Sequence, residues 1–304
     1  MIPMTIRTIV SYMSMWFRQK YCYFRYHYDL LIILYSFIAK PLKMKTLITC
    51  IALLFSICLS AQTGSWKQVG VSGGWKGTKT MMMINGEIYT VDNSGALYKT
   101  IAATGAWKKL GTAFGNTAFM FAGNGLLYTI ETSGSLYAVN RNDGSWKQIG
   151  KAGAWIGTIA GTILNGKLYT TEKNGALYVT DLSTGNWMQI GKPEFGNTWN
   201  IWAANGKLYS IEKSGTMYEI SSADGSWKQV GGTGAWNGTI TGVMMNDLFY
   251  SVSQNGALYV TYPATGNYKQ LGSNAFAATV FMGAGTSKLY TIESSGNLYE
   301  VNVN

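Results

Sequence analysis

One motif, repeated at a nearly fixed period, restricts this chain more than any other feature. A glycine stands two residues before an aromatic ring six times over, ahead of Trp66, Trp107, Trp146, Trp187, Trp227 and Tyr268, at spacings of 41, 39, 41, 40 and 41 residues. Chains that repeat at such a period fold as arrays of one supersecondary unit, each burying its apolar face only against its neighbours. Within each unit two tyrosines stand nine residues apart, from Tyr89 and Tyr98 in the first to Tyr290 and Tyr299 in the last. Between them lies a glycine preceded by Ser or Asn, Gly95 in the first unit and Gly296 in the last, which is the composition of a tight turn.

The first unit therefore reads as four strands, 78–84, 87–92, 96–101 and 106–110, joined at Asn85-Gly86, Gly95 and Thr104-Gly105. Helical periodicity is missing from every unit. Four short strands per forty residues predict a propeller blade, and six units predict an all-β, six-bladed β-propeller of four-stranded antiparallel blades. A lone Trp strand, 65–70, opens the array, and the last unit has three strands, ending with 297–303. The N-terminal strand is expected to complete the last blade and close the ring. Odd units carry a Trp in the blade connection (Trp75, Trp155, Trp236) and even units a Phe (Phe114, Phe195, Phe276). The ring thus reads as three two-blade repeats.

Composition divides the chain near residue 61. Residues 1–61 hold no glycine, all three cysteines, the single histidine and seven of the 24 basic residues, whereas 62–304 hold all 37 glycines, 17 basic and 13 acidic residues. The repeat region is therefore only mildly basic. Lacking His and Cys, it offers no thiolate or imidazole metal site, cysteine nucleophile or Ser-His-Asp relay, and neither metal nor cofactor is expected. Arg141 is its one arginine and its lysines are dispersed among acids, which excludes a phosphate-reading nucleic-acid surface.

Met44-Lys45, the apolar run 47–59 and Ser60-Ala61 form the charged start, apolar core and small-residue end of a signal peptide spanning 44–61. Residues 1–43 read as upstream translation or a leader outside the fold. Pro41, Lys43 and Lys45 interrupt the apolar stretches, leaving each short of the roughly 20 residues a membrane helix needs. The expectation is a propeller over 62–304 that is secreted, periplasmic or displayed on the cell surface, a monomeric ring not embedded in a membrane.

Gly153-Ala154-Trp155, Gly166-Lys167-Leu168-Tyr169 and Gly175-Ala176-Leu177-Tyr178 resemble the repeats of the tachylectin-type propeller lectins and, more loosely, tectonin repeats. The resemblance covers 63–304. It implies a secreted or surface protein that binds N-acetylated amino sugars between neighbouring blades without a metal. This chain departs from that pattern in having six shorter units rather than five, and Phe for Trp in alternate units.

Seventeen residues after each connection aromatic stands Asp92, Glu131, Glu172, Glu212, Ser253 or Glu293, and three residues after it a threonine, from Thr78 to Thr279. Two readings stay open. An aromatic plane can cover a sugar's C–H face while a carboxylate accepts its hydroxyl protons; equally, the ring can wedge adjacent blades while the carboxylate braces the next turn. Trp66 and its equivalents, and the tyrosine pairs, are read as packing residues within the blades. The reading that follows is a multivalent, non-catalytic lectin for N-acetylglucosamine or N-acetylgalactosamine. A propeller scaffold for protein partners is the alternative. A glycoside hydrolase fits less well, since one arginine cannot form a sialidase's carboxylate clamp and a copied site offers no asymmetry between acid and base.

Overall fold

The computed structural model describes residues 63–303; the signal peptide expected at 44–61 and the segment 1–43 lie outside the described residues. All regular structure among the described residues is strand, arranged as six four-stranded antiparallel sheets. The protein is a six-bladed β-propeller. The first blade contains Thr78–Ile84, Glu87–Asp92, Leu97–Ile101 and Trp107–Gly111 in that order across the sheet. The next four blades repeat this order, and their innermost strands follow one another around the ring until the sixth meets the first.

The sixth blade is assembled from both ends of the array. Thr279–Ala284, Lys288–Glu293 and Leu298–Asn302 are joined by Trp66–Val69, which pairs antiparallel with the strand at 298–302 in the register Trp66 to Val301 and Val69 to Leu298. Lys67 sits opposite Glu300 with its ammonium 3.3 Å from the carboxylate, which also holds Lys288.

Burial explains why the strands of one blade differ so much in sequence. In the third blade the second strand, Lys167–Glu172, buries its four central residues, Leu168 to Thr171, because adjacent blades cover both of its faces. The outermost strand, Trp187–Ile190, buries only Ile190. Two turns need special backbone. Asn165 and Gly166 both take positive φ (49° and 75°) at the tip of the first hairpin, the requirement of a two-residue type I′ turn. Gly150 and Gly185 also take positive φ, and a Cβ on Gly185 would stand 2.4 Å from the Gly150 Cα. Neighbouring blades therefore meet backbone to backbone at that point, and the glycine two residues before each outer aromatic is a packing requirement.

Candidate functional site

The six connection aromatics lie between blades with their rings nearly closed off, from 2% exposed at Trp155 to 6% at Phe195. Each tryptophan has a specific polar partner. The indole N–H groups of Trp75, Trp155 and Trp236 donate to the hydroxyls of Thr100, Thr180 and Thr261 at 3.3, 3.2 and 3.1 Å, every threonine standing 25 residues after its tryptophan. Twenty-five residues after Phe114, Phe195 and Phe276 stand Val139, Ile220 and Val301, each in the same apolar cluster as its phenylalanine. The Trp and Phe alternation thus follows the partner beneath the ring: a buried indole N–H needs an acceptor, and a phenyl ring needs a methyl surface.

The outer-strand aromatics need a correction. Trp66, Trp107, Trp146, Trp187, Trp227 and Tyr268 are not squeezed between blades but stand 47–55% exposed on the outermost strand. Each meets the second tyrosine of its unit edge to face, as Trp187 meets Tyr178 at 5.0 Å between centroids and 83° between planes. The first tyrosine of each pair, Tyr169 in this unit, is buried. Register explains the association in the third blade: Thr180 lies opposite Trp187 and Tyr178 opposite Gln189, so Thr180, Tyr178 and Trp187 share one face of the sheet. Trp155 is fastened to that face through Thr180.

These residues converge on shallow depressions. In the third blade Ala154, Trp155, Glu172, Tyr178 and Trp187 line one of about 60 Å³. In the second, Ala113, Phe114, Thr129, Glu131, Tyr137 and Trp146 line a smaller one of about 40 Å³. Both lie well below the roughly 300–1,000 Å³ of an enclosing small-molecule pocket. Such a surface can take the edge or one face of a ligand, with the buried aromatic as floor, the outer tryptophan as wall and the carboxylate as hydrogen-bond acceptor.

The carboxylates expected to line the sites differ in how they are held. Asp92 accepts from the Ser94 N–H (2.9 Å), the Ser94 hydroxyl (2.6 Å) and the Ala96 N–H (2.9 Å), so it braces its own turn. Burial acts to raise its pKa, but bonds from Ser94, Ala96 and Tyr98 outweigh it and hold the carboxyl below the usual range. Glu131, Glu212 and Glu293 each accept one longer bond, from Ser133, Ser214 and Ser295 at 3.4, 3.4 and 3.3 Å. Ser253 replaces the acid beside Trp236 and donates to Asn255. The Glu172 carboxylate accepts no hydrogen bond from any described residue, although the Glu172 carbonyl takes the Gly175 N–H of the turn at 2.9 Å, and burial pushes the carboxyl pKa up. The threonines divide similarly: Thr78 and Thr239 donate to the carbonyls of Trp75 and Trp236, while the hydroxyls of Thr158 and Thr279 are buried without a partner.

Among the described residues no group of His, Cys, Asp and Glu could hold a metal ion, and no helix is long and apolar enough to cross a membrane. No protein-family model matches the chain, and no curated protein matches it in sequence. Solved structures do. A protein of unknown function from Bacteroides thetaiotaomicron superposes with a TM-score of 0.59 at 13% identity, over 80% of this chain and 76% of that one. PorZ of Porphyromonas gingivalis, described as an essential bacterial surface component of the type-IX secretion system, superposes with a TM-score of 0.50 at 11% identity over 79% of this chain. This chain spans 38% of PorZ. At such identities the likeness is one of fold, and the class defined is the β-propeller.

Proposed function

We propose that this protein is a lectin of tachylectin type, a non-catalytic and metal-independent binder of N-acetylated amino sugars that acts outside the cytoplasm or at the cell surface. One observation carries the reading: in two blades the connection aromatic and the carboxylate seventeen residues later open onto one depression, beside an exposed tryptophan. Exposed indole faces suit the C–H faces of pyranose rings, and a carboxylate supplies the acceptor that orients hydroxyl or acetamido donors. Each of the two depressions presents one carboxylate, where glycoside hydrolysis uses a pair. Copies around a ring also favour a binder of repeated glycans, since linked weak sites gain roughly 10²–10⁴-fold in avidity when one ligand spans them. N-acetylglucosamine is the first candidate and N-acetylgalactosamine the second.

A glycan array probed with the purified protein tests this reading. Enrichment of multivalent N-acetylated glycans is the expected result, with signal lost when Trp187 and Trp146 are both changed to Ala. A blank array would reject the lectin reading.

A further inference from the structure

The repeat suggests equal sites, but the side chains do not. In the first, second, fourth and sixth blades the acid ending the second strand is followed two residues later by serine (Ser94, Ser133, Ser214, Ser295), whose hydroxyl donates to that acid. The third blade has Asn174 instead. The Asn174 carboxamide oxygen accepts the Ala176 N–H at 3.0 Å and so stabilises the turn without using the acid. Asn255 does the same for Ala257 in the fifth blade, but there the acid is already replaced by Ser253. Serine-to-asparagine exchange therefore releases a carboxylate in one blade alone, at Glu172.

Two further observations place this free acceptor in a ligand-facing position. Glu172 lines the depression with Trp155, Tyr178 and Trp187, and it leans on the connection: a Cβ on Gly157 would stand 2.7 Å from a carboxylate oxygen. Its register partner is Thr158, 7% exposed, whose hydroxyl has no partner. The outer tryptophans are also unequal. In the fourth blade the Trp227 N–H already donates to Glu194 at 2.7 Å, across a connection that contains Lys192-Pro193, whereas Trp187 makes no such bond to a described residue.

We infer that the six copies are not equivalent and that the third blade holds the principal site, where Glu172 accepts an acetamido N–H or a hydroxyl while the sugar's apolar face lies against Trp187. The inference rests on the lectin reading and sharpens it to one residue pair. In the other acidic blades one carboxylate oxygen already accepts a serine hydroxyl that ties the acid to its own turn, so a ligand meets a partly satisfied acceptor and the net return of its bond is lower.

Titration of N-acetylglucosamine into the protein, followed through the indole N–H resonances, tests it. The Trp187 and Trp155 signals are expected to move at the lowest sugar concentration. Glu172→Ala should weaken that response by at least about tenfold, the loss expected for a charge-assisted bond, while Glu131→Ala and Glu293→Ala change it by less than about twofold. Asn174→Ser leaves every lining side chain in place and supplies the clamping hydroxyl, so it should also weaken the site. Ser133→Asn should strengthen the response at Trp146. Equal losses in Glu131→Ala and Glu172→Ala would overturn the inference while leaving the lectin reading intact, as would undiminished binding in Glu172→Ala. Absence of any indole response to the sugar would overturn both.

Discussion

Trp155 and Trp187 belong to one unit, recur with the same period and line the same depression, yet their surroundings are opposite. Trp155 is 2% exposed, with its N–H bonded to Thr180 and its ring edge under Gly150, so that a Cβ there would stand 2.9 Å away. Trp187 is 51% exposed and meets Tyr178 edge to face. Equal periodicity therefore conceals a division of labour: the first ring holds blades together, and the second is available to a ligand.

The comparison breaks most decisively if Trp155→Ala is tolerated. Truncating a buried wedge removes transfer energy and leaves a cavity, so this variant should lose about 3–5 kcal/mol in denaturant unfolding. Trp187→Ala should lose about 1 kcal/mol, the order of an exposed aromatic pair, while abolishing the sugar binding proposed for the third blade; comparable losses of stability for the two would erase the distinction. A smaller effect sharpens the explanation of the Trp and Phe alternation. Thr180→Val should cost about 1–3 kcal/mol by leaving the buried indole N–H unpaired. Combining it with Trp155→Phe should recover part of that loss, since the pair then matches Phe195 and Ile220 in the next blade; a strictly additive double-mutant cycle would argue against the pairing.

The smallest effects concern pH and have opposite signs in the first and third blades. Asp92 has a lowered pKa, so its stabilisation is complete above the usual carboxylate range and disappears as pH falls through the lowered value. Glu172 has a raised pKa, so between the usual value and its own the folded form holds more protons than the unfolded one. Stability then declines as pH rises through that window. Accordingly Asp92→Asn should lower Tm at pH 7 and converge on the parent in acid. Glu172→Gln should raise Tm slightly at pH 7 and likewise converge in acid. Thermal melts across pH check both, and parallel shifts would show that the two carboxylates are held alike.

Most of the fold was legible because turn chemistry recurs with the period. The first hairpin runs 78–84 and 87–92 around Asn85-Gly86, as the residues indicate. The third strand starts at Leu97 rather than Ala96, because the Ala96 N–H is drawn into the turn by the Asp92 carboxylate. The site was legible only in part. Periodicity located the connection aromatics and the acids but could not rank burial, and it misassigned the outer tryptophans. A signal was present in their neighbours: Trp187 and Gln189 share a strand face, and a polar partner two residues away marks a face turned to water. The role of Asn174 was not legible, because Ser and Asn are both ordinary turn formers and only the hydrogen bonds show which of them releases the acid.

The strand at 66–69 carries a further consequence, one of timing. Among the described residues the first strand to emerge during synthesis has its partner in the last, at 298–302. Pairing of such distant segments is slow, because loop-closure entropy is spent before the contact returns anything. The first five blades can form in order as the chain lengthens, but the sixth must wait for both ends. Trp66, the outer wall of that blade, reaches Tyr299 only at this final step. A nascent chain interrupted short of residue 298 carries five complete blades, one open edge and an unpaired leading strand, the state in which this ring is most exposed to pairing with a neighbouring chain.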